Sequence, residues 1–563
     1  MTVTPSDAGP GRVIKLRTSA SNRRHTWTVH TRMKRRTLLT AAATNAVLSA
    51  PALSQAQRGT DPRVLRFVPQ ADLTALDPIW TTSTVTHNHA LAVYDTLYSI
   101  DSGFRPRPQM AEGHTVSDDG RTWRIWLREG LRFHDGEPVR AQDCAASLSR
   151  WARRDGLGQI LNARVERWGA ADDSVIEIRL TRPFPAMLDA LGKSFPQVPF
   201  MMPERIARTD PNTQITEVVG SGPYRFLRDE FVSGSRVVYA KFNRYVPRPE
   251  QPEWGTGGKV AHFERIEWRI IPDAATAAAA LQTGEVDWWE QPPPDLMPAL
   301  ARHRGIQTLV TDPIGQMAFL RFNHLHAPFN DLRARQAVGA VLSQEDYMQA
   351  ISGPDRSSWE TCFSLFPCGT DHATSAGAEL MQGPRDLARA RAMIAEAGLA
   401  GTHTVVINPT DVAVIRPMGE ITADVLRRLG LNVELAASDW GTVVQRRASR
   451  EPPGRGGWSV FHSFGQAGNF INPAVNVLTR GQGANGWPGW YASTEVERLT
   501  NDWLDAPDPQ ARRLIANEIG RVANSDVATI PLGRFFSHTA FRRTLEGVLP
   551  GTSPYFWNVR RNA

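Results

Sequence analysis

Cys362 and Cys368 stand six positions apart in Thr-Cys-Phe-Ser-Leu-Phe-Pro-Cys-Gly. In an oxidising compartment that spacing suits a short-loop disulfide, with Pro367 and Gly369 turning the chain; the alternative is two thiols close only in sequence. Cys144 falls inside an expected helix over 141–151 and reads as apolar core filler. His87 and His89 could share a metal on an extended chain. Two histidines without a third ligand are more often hydrogen-bonded, so no metal is assigned. Leu191-Gly192-Lys193-Ser194 ends like a phosphate-binding loop, but that loop needs Gly five residues before Gly192, and position 187 is Met. Gly220-Ser221-Gly222 lacks the Gly-x-Ser-x-Gly spacing of a nucleophile elbow, and no His-Glu-x-x-His occurs. No catalytic constellation stands out, which argues for a binder over an enzyme, with no cofactor.

The elements that must position these residues are those of an α/β chain. Residues 64–68 alternate as a strand, as do 175–180 and 266–271. Asp118-Asp119-Gly120 turns into a strand over 122–127, with Trp123, Ile125 and Leu127 set against Arg124, Trp126 and Arg128. Residues 88–98 place Leu91, Tyr94, Asp95 and Tyr98 at helical spacing. Asp273 can cap a helix over 274–282 that Gly284 closes. Strand-like 403–407, a helix over 414–429 stopped by Gly430, and strand-like 432–436 form a strand–helix–strand unit suited to a parallel pair. A helix from Pro384 to Gly398 precedes it.

Residues 33–56 read as an export signal: a basic head, Met33-Lys34-Arg35-Arg36, a mildly apolar run, and small-residue cleavage candidates near Ala52 and Ala56. The paired Arg35 and Arg36 before a weak apolar run resemble a twin-arginine signal. Residues 1–32 look like an upstream extension. The first 56 residues carry nine Lys/Arg and one Asp, a net +8 against +7 for the whole chain, which leaves −1 for the remainder. The basic character lies in the leader and gives no basic face for nucleic acid. A periplasmic location is expected for the remainder. It contains no apolar run of about 18 residues that could span a membrane, and its length calls for at least two lobes.

Several segments then fall into one pattern. Residues 111–139 run from Ala-Glu-Gly-His through Asp118-Asp119-Gly120-Arg121-Thr122-Trp123 to Phe133-His134-Asp135-Gly136-Glu137-Pro138-Val139. Gly220-Ser221-Gly222-Pro223-Tyr224 and Leu281-Gln282-Thr283-Gly284-Glu285-Val286-Asp287 follow, then Phe322-Asn323 and 328–338 with Asn330-Asp331-Leu332. Together, over about 64–560, they resemble the family 5 extracellular solute-binding proteins, the periplasmic receptors of peptide, nickel and related ABC importers. Most of these segments also have a structural reading. The Asp-Gly turns and strands build a lobe, Gly222-Pro223 sets a turn, and Asn330-Asp331 caps a helix.

The resemblance implies an α/β, two-lobe periplasmic-binding-protein fold with two crossing hinge segments and a first lobe enlarged by a subdomain. The first lobe is expected at 61–311 plus 531–563 and the second at 312–530, with crossings near 312–322 and 529–536. The implied function is a monomeric receptor that captures a peptide or peptide-like solute by hinge closure and delivers it to an inner-membrane ABC permease. From the first lobe, Trp80, Thr81, Thr82, Ser83 and His87 follow the early strand, where the family lines its cleft. Peptide-binding relatives carry a second-lobe Asp for the ligand's amino terminus, but the matching stretch here, 458–473, has no Asp or Glu. A carboxylate such as Asp439 would have to arrive from elsewhere. That stretch offers Phe461, His462, Phe464, Gln466 and Asn469, suited to a ligand read by amides and stacking. The competing reading buries Trp458, Val460 and His462 along a core strand. Trp487 and Trp490 are candidates for a loop wall. A nickel or haem receptor on the same fold is the alternative function; a secreted hydrolase is a distant one.

Overall fold

Val64–Val68 is a strand with both faces buried, the usual setting of a strand between parallel neighbours. It has them in Arg265–Arg269 and Trp288–Trp289. They belong to a seven-stranded sheet completed by Ile306–Val310, His538–Arg542, Arg236–Lys241 and Tyr224–Phe226. The computed structural model describes residues 61–562; the expected extension at 1–32 and export signal at 33–56 lie outside the described residues.

The same part of the chain carries a separate four-stranded antiparallel sheet, Ala111–Val116, Thr122–Leu127, Val175–Leu180 and Val165–Ala170. Trp123, Ile125 and Leu127 turn into its core while Arg124 faces solvent, as their alternation requires. The helix Ala141–Trp151 packs on this sheet and buries Cys144, whose thiol burial holds in its neutral form. The helix expected over 88–98 is instead Thr84–Val93. Tyr94 leaves it in extended backbone, and Tyr98 begins the strand Tyr98–Ile100. Nearly every residue of that helix is buried, so its apolar period does not mark its end.

A second, six-stranded sheet has the order Trp359–Glu360, Ile530–Phe535, Gln316–Phe322, Val460–Gln466, His403–Pro409, Asn432–Ser438. Its last two strands are parallel and are joined by the helix Arg416–Arg428, which buries Met418, Thr422 and Leu426. Cys362 and Cys368 are disulfide-bonded, S–S 2.07 Å.

The chain leaves the first sheet after Val310, enters the second at Gln316, leaves it after Phe535 and re-enters the first at His538. The boundary expected at 531 therefore falls inside a strand of the second sheet, five residues early. The apolar strand Ile-Pro-Leu-Gly-Arg-Phe carries no sequence mark of which sheet it joins. The two crossings lie side by side. Thr311 donates to the Ser537 carbonyl through its backbone N–H (3.1 Å) and its hydroxyl (3.0 Å). Gly315 has φ +67°, and a Cβ there would stand 2.5 Å from the Phe535 carbonyl oxygen, so this close approach requires glycine.

Candidate functional site

Asp77 fixes the first lobe's contribution. It follows Leu76 at the end of the early loop, is fully buried, and pairs with fully buried Arg150 at 2.6 Å. It also accepts the backbone N–H groups of Ile79 (3.0 Å), Trp80 (3.3 Å) and Ile215 (3.0 Å). A buried ion pair with its remaining lone pairs filled can hold a turn rigidly. The helix Thr84–Val93 starts from that turn and points Thr84 and Asn88 into a cleft between the two lobes.

The cleft has two chambers that share Phe195, Phe464, Gly465 and Asn469. The larger, about 550 Å³, is walled by Phe195, Phe319, Trp440, Phe464, Phe470 and Trp487. Its charged lining comprises the Lys193–Asp155 ion pair, Asp189 and Arg447. Asp189 is paired with Arg512 of the second lobe. Arg447 is different: its guanidinium carbon sits 5.4 Å from the Trp487 ring centre, 5.6 Å from Trp440 and 5.7 Å from Phe461. Burial among those rings lowers its pKa, and it makes no ion pair among the described residues. A caged cation without a counter-ion suits an anionic group on a solute.

The smaller chamber, about 370 Å³, is polar and acidic. Glu290 follows the strand Trp288–Trp289 and is buried; it accepts the Asn88 amide N–H at 2.6 Å and the Gln70 backbone N–H at 2.8 Å. Burial pushes its carboxyl up to about 7 against those bonds. Asp312, on the outgoing crossing, accepts the Ile314 backbone N–H at 3.1 Å. Burial pushes it up to about 6, although Arg534 opposes the rise.

Of the residues expected at the site, Thr82, Phe464, Gln466, Asn469 and Trp487 line the cleft. The others line neither chamber. Trp80 and Thr81 stay toward solvent beside the turn, with Thr81 accepting the Ser83 backbone N–H at 3.2 Å. Ser83 sits at the start of the helix without capping it through its side chain. His87 is buried, edge-on to Phe195 at 5.1 Å, and burial takes its pKa down to about 3. His89 is buried against the Tyr239 hydroxyl at 2.9 Å, so the two histidines share no open ligand position. His462 is buried farther back along the strand Val460–Gln466, where its Nε2 bonds the Thr422 hydroxyl at 2.7 Å. Phe461 and Trp490 pack on Trp458 at 5.1 and 5.8 Å as wall supports. Asp439 caps the helix Trp440–Arg446 at the surface and brings no carboxylate to the cleft.

The sequence reading passed over Asn88, Glu290, Asp312 and Arg447. Only Glu290 left a trace, as a lone acid directly after an apolar Trp-Trp pair.

Comparison with known proteins places this geometry. Residues 105–475 match the family described as "Bacterial extracellular solute-binding proteins, family 5 Middle". A "Probable peptide ABC transporter periplasmic-binding protein y4tO" of Sinorhizobium fredii is 35% identical over 532 residues, covering 94% of this chain and 99% of that protein. The "Glutathione-binding protein GsiB" of Salmonella typhi is 25% identical over 482 residues, covering 82% and 87%. The crystal structure of a dipeptide-binding protein from a Pseudoalteromonas species, in complex with Met-Leu, superposes with a TM-score of 0.70 at 20% identity, covering 89% of this chain and all of that one. The chain belongs to the bacterial extracellular solute-binding proteins of family 5.

Proposed function

We propose that this protein is the receptor of a peptide-importing ABC system: it encloses a short peptide or peptide-like solute between its lobes and presents the closed form to an inner-membrane permease. The observation that carries the reading is the two-chambered cleft. An unpaired Arg447 stands in the apolar chamber and unpaired carboxylates in the polar one, the charge layout a zwitterionic solute would complete. The 35% identity to a probable peptide-transporter protein supports the same solute class. The lobes 61–310 plus 538–562 and 316–535 rotate about the paired crossings, and a solute favours the closed form by contacting both.

The protein binds without altering its solute and acts as a monomer. The leader is removed on export, and the near-neutral remainder has no affinity for nucleic acid. The nickel or haem alternative finds no group of three His, Cys, Asp or Glu that could hold a metal among the described residues.

The test is mass spectrometry of the solute that co-purifies with protein taken from its native periplasm, followed by re-addition to protein emptied by unfolding and refolding. A short peptide that raises the Tm supports the reading. Stoichiometric metal or haem, or a sugar, in the cleft overturns it.

A further inference from the structure

The smaller chamber is lined by acceptors waiting for donors. Among the described residues, Glu290 and Asp312 are its only charged lining residues, and no Lys, Arg or His lines it. Glu290 meets only the Gln70 backbone N–H and the Asn88 amide. Asp312 spends Oδ1 on Ile314 and keeps a buried Oδ2 without a partner. Asn88 is fully buried; its N–H group goes to Glu290 and its Oδ1 is left unpartnered. Gln466 Oε1 and Asn469 Oδ1, reaching in from the second lobe, are buried and unpartnered as well. Unpaired buried acceptors and uncompensated buried carboxylates are costly when empty. A protonated amine neutralises the carboxylates and offers three N–H donors to these acceptors at once.

We infer that this chamber is the subsite for the solute's protonated amine, held between Glu290 and Asp312, with its third N–H donated to one of the amide oxygens of Asn88, Gln466 and Asn469. The inference rests on the peptide reading of the cleft and gives it a direction: amino terminus in the acidic chamber, carboxylate toward Arg447. Acceptors from both lobes converge on one cation, so the amine itself helps to draw the lobes together.

Calorimetric titration of the emptied protein with three probes tests this. The probes are an equimolar set of free tripeptides, the same set N-acetylated, and 1,5-diaminopentane. They are titrated into the wild type, Asp312→Asn and Glu290→Gln. Asp312→Asn is the cleaner variant, because Oδ1 keeps its bond to Ile314 and the new N–H group occupies the unpartnered position. Circular dichroism checks the fold of both. The expected result is that acetylation weakens binding by about 100-fold or more and each variant weakens binding of the free peptides by at least about tenfold. The acetylated set should be indifferent to the variants. Free and acetylated peptides binding alike, or a folded Asp312→Asn binding like wild type, would overturn the subsite while leaving the peptide reading standing. Binding of the diamine alone, lost in Asp312→Asn, would keep the subsite and remove the peptide reading. Binding of none of the three counts against both.

Discussion

Glu290 is buried with two hydrogen bonds and no cation, and its carboxyl is held near 7 where an ordinary one titrates at 4.5. An acid whose folded pKa is raised favours the folded protein at low pH. That contribution is whole below about 4.5 and is lost as pH rises through about 7, amounting to roughly 3 kcal/mol for a shift of that size. Thermal unfolding of the emptied protein between pH 5 and pH 7.5 should therefore show the wild type losing Tm relative to Glu290→Gln. A constant difference across that window contradicts the assignment. Arg447 makes the opposite case. Replacing it with Met should weaken a carboxylate-bearing peptide by about tenfold or more, the loss of a charged hydrogen bond. A C-terminally amidated peptide should hardly respond, and the emptied protein should lose no Tm, since an unpaired half-buried cation has gone. Equal losses for acid and amide would show that Arg447 supports the wall rather than the solute. These residues were hidden in the sequence for a physical reason: their roles come from burial and from partners that are absent. Asn88 meets Glu290 across 202 positions, and no local spacing announces that. Of the stretch 458–473 that the family resemblance singled out, only the end of the strand and the residues after it reach the cleft. Phe464, Gln466 and Asn469 reach the cleft, whereas His462 turns to Thr422 and Phe461 to Trp458.

At the scale of elements, the cleft depends on how its walls are anchored. Asp77 and Arg150 carry the turn before the helix Thr84–Val93, and both are fully buried. Asp77→Ala strands a buried guanidinium and three backbone N–H groups, and it should cost about 3–5 kcal/mol, read as a fall in Tm with loss of solute binding. A fall of less than about 1 kcal/mol would mean that the turn is held elsewhere. Across the cleft mouth, Arg512 in the helix Pro509–Ser525 pairs with Asp189, and Arg164 pairs with Asp505 at 2.6 Å. Both pairs join one lobe to the other and exist only when the lobes meet. Their carboxylates are partly exposed while Arg164 and Arg512 are mostly buried, so each pair is worth on the order of 1 kcal/mol. The double change Asp189→Ala, Asp505→Ala should speed solute release several-fold, more at low salt, with little change in the association rate. An unchanged release rate in stopped-flow fluorescence removes them as a latch. Elements were the most legible level of the sequence. The strand Thr122–Leu127, the helix Ala274–Thr283 ended by Gly284 at φ +85°, and the parallel pair His403–Pro409 and Asn432–Ser438 follow from alternation, caps and period. The end of the helix Thr84–Val93 and the sheet joined by Ile530–Phe535 did not follow, because both segments are buried on nearly every side.

At the scale of the whole molecule, two sheets joined by two adjacent crossings make a clamshell. The crossings, 311–315 and 536–537, are bound to each other through Thr311 and Ser537, and the proposed function makes them the hinge. The acidic chamber lies against this joint: Asp312, Gly315, Gln316 and Ser537 line it. Under the proposed function, a solute there would touch the crossings as well as both lobes and so couple occupancy to closure. The direct measurement is small-angle X-ray scattering of the emptied protein, alone and after its own co-purified solute is added back. The account predicts a smaller radius of gyration with solute, and a scattering curve that matches the structure described here only when solute is present. Tight binding with identical scattering curves would contradict it.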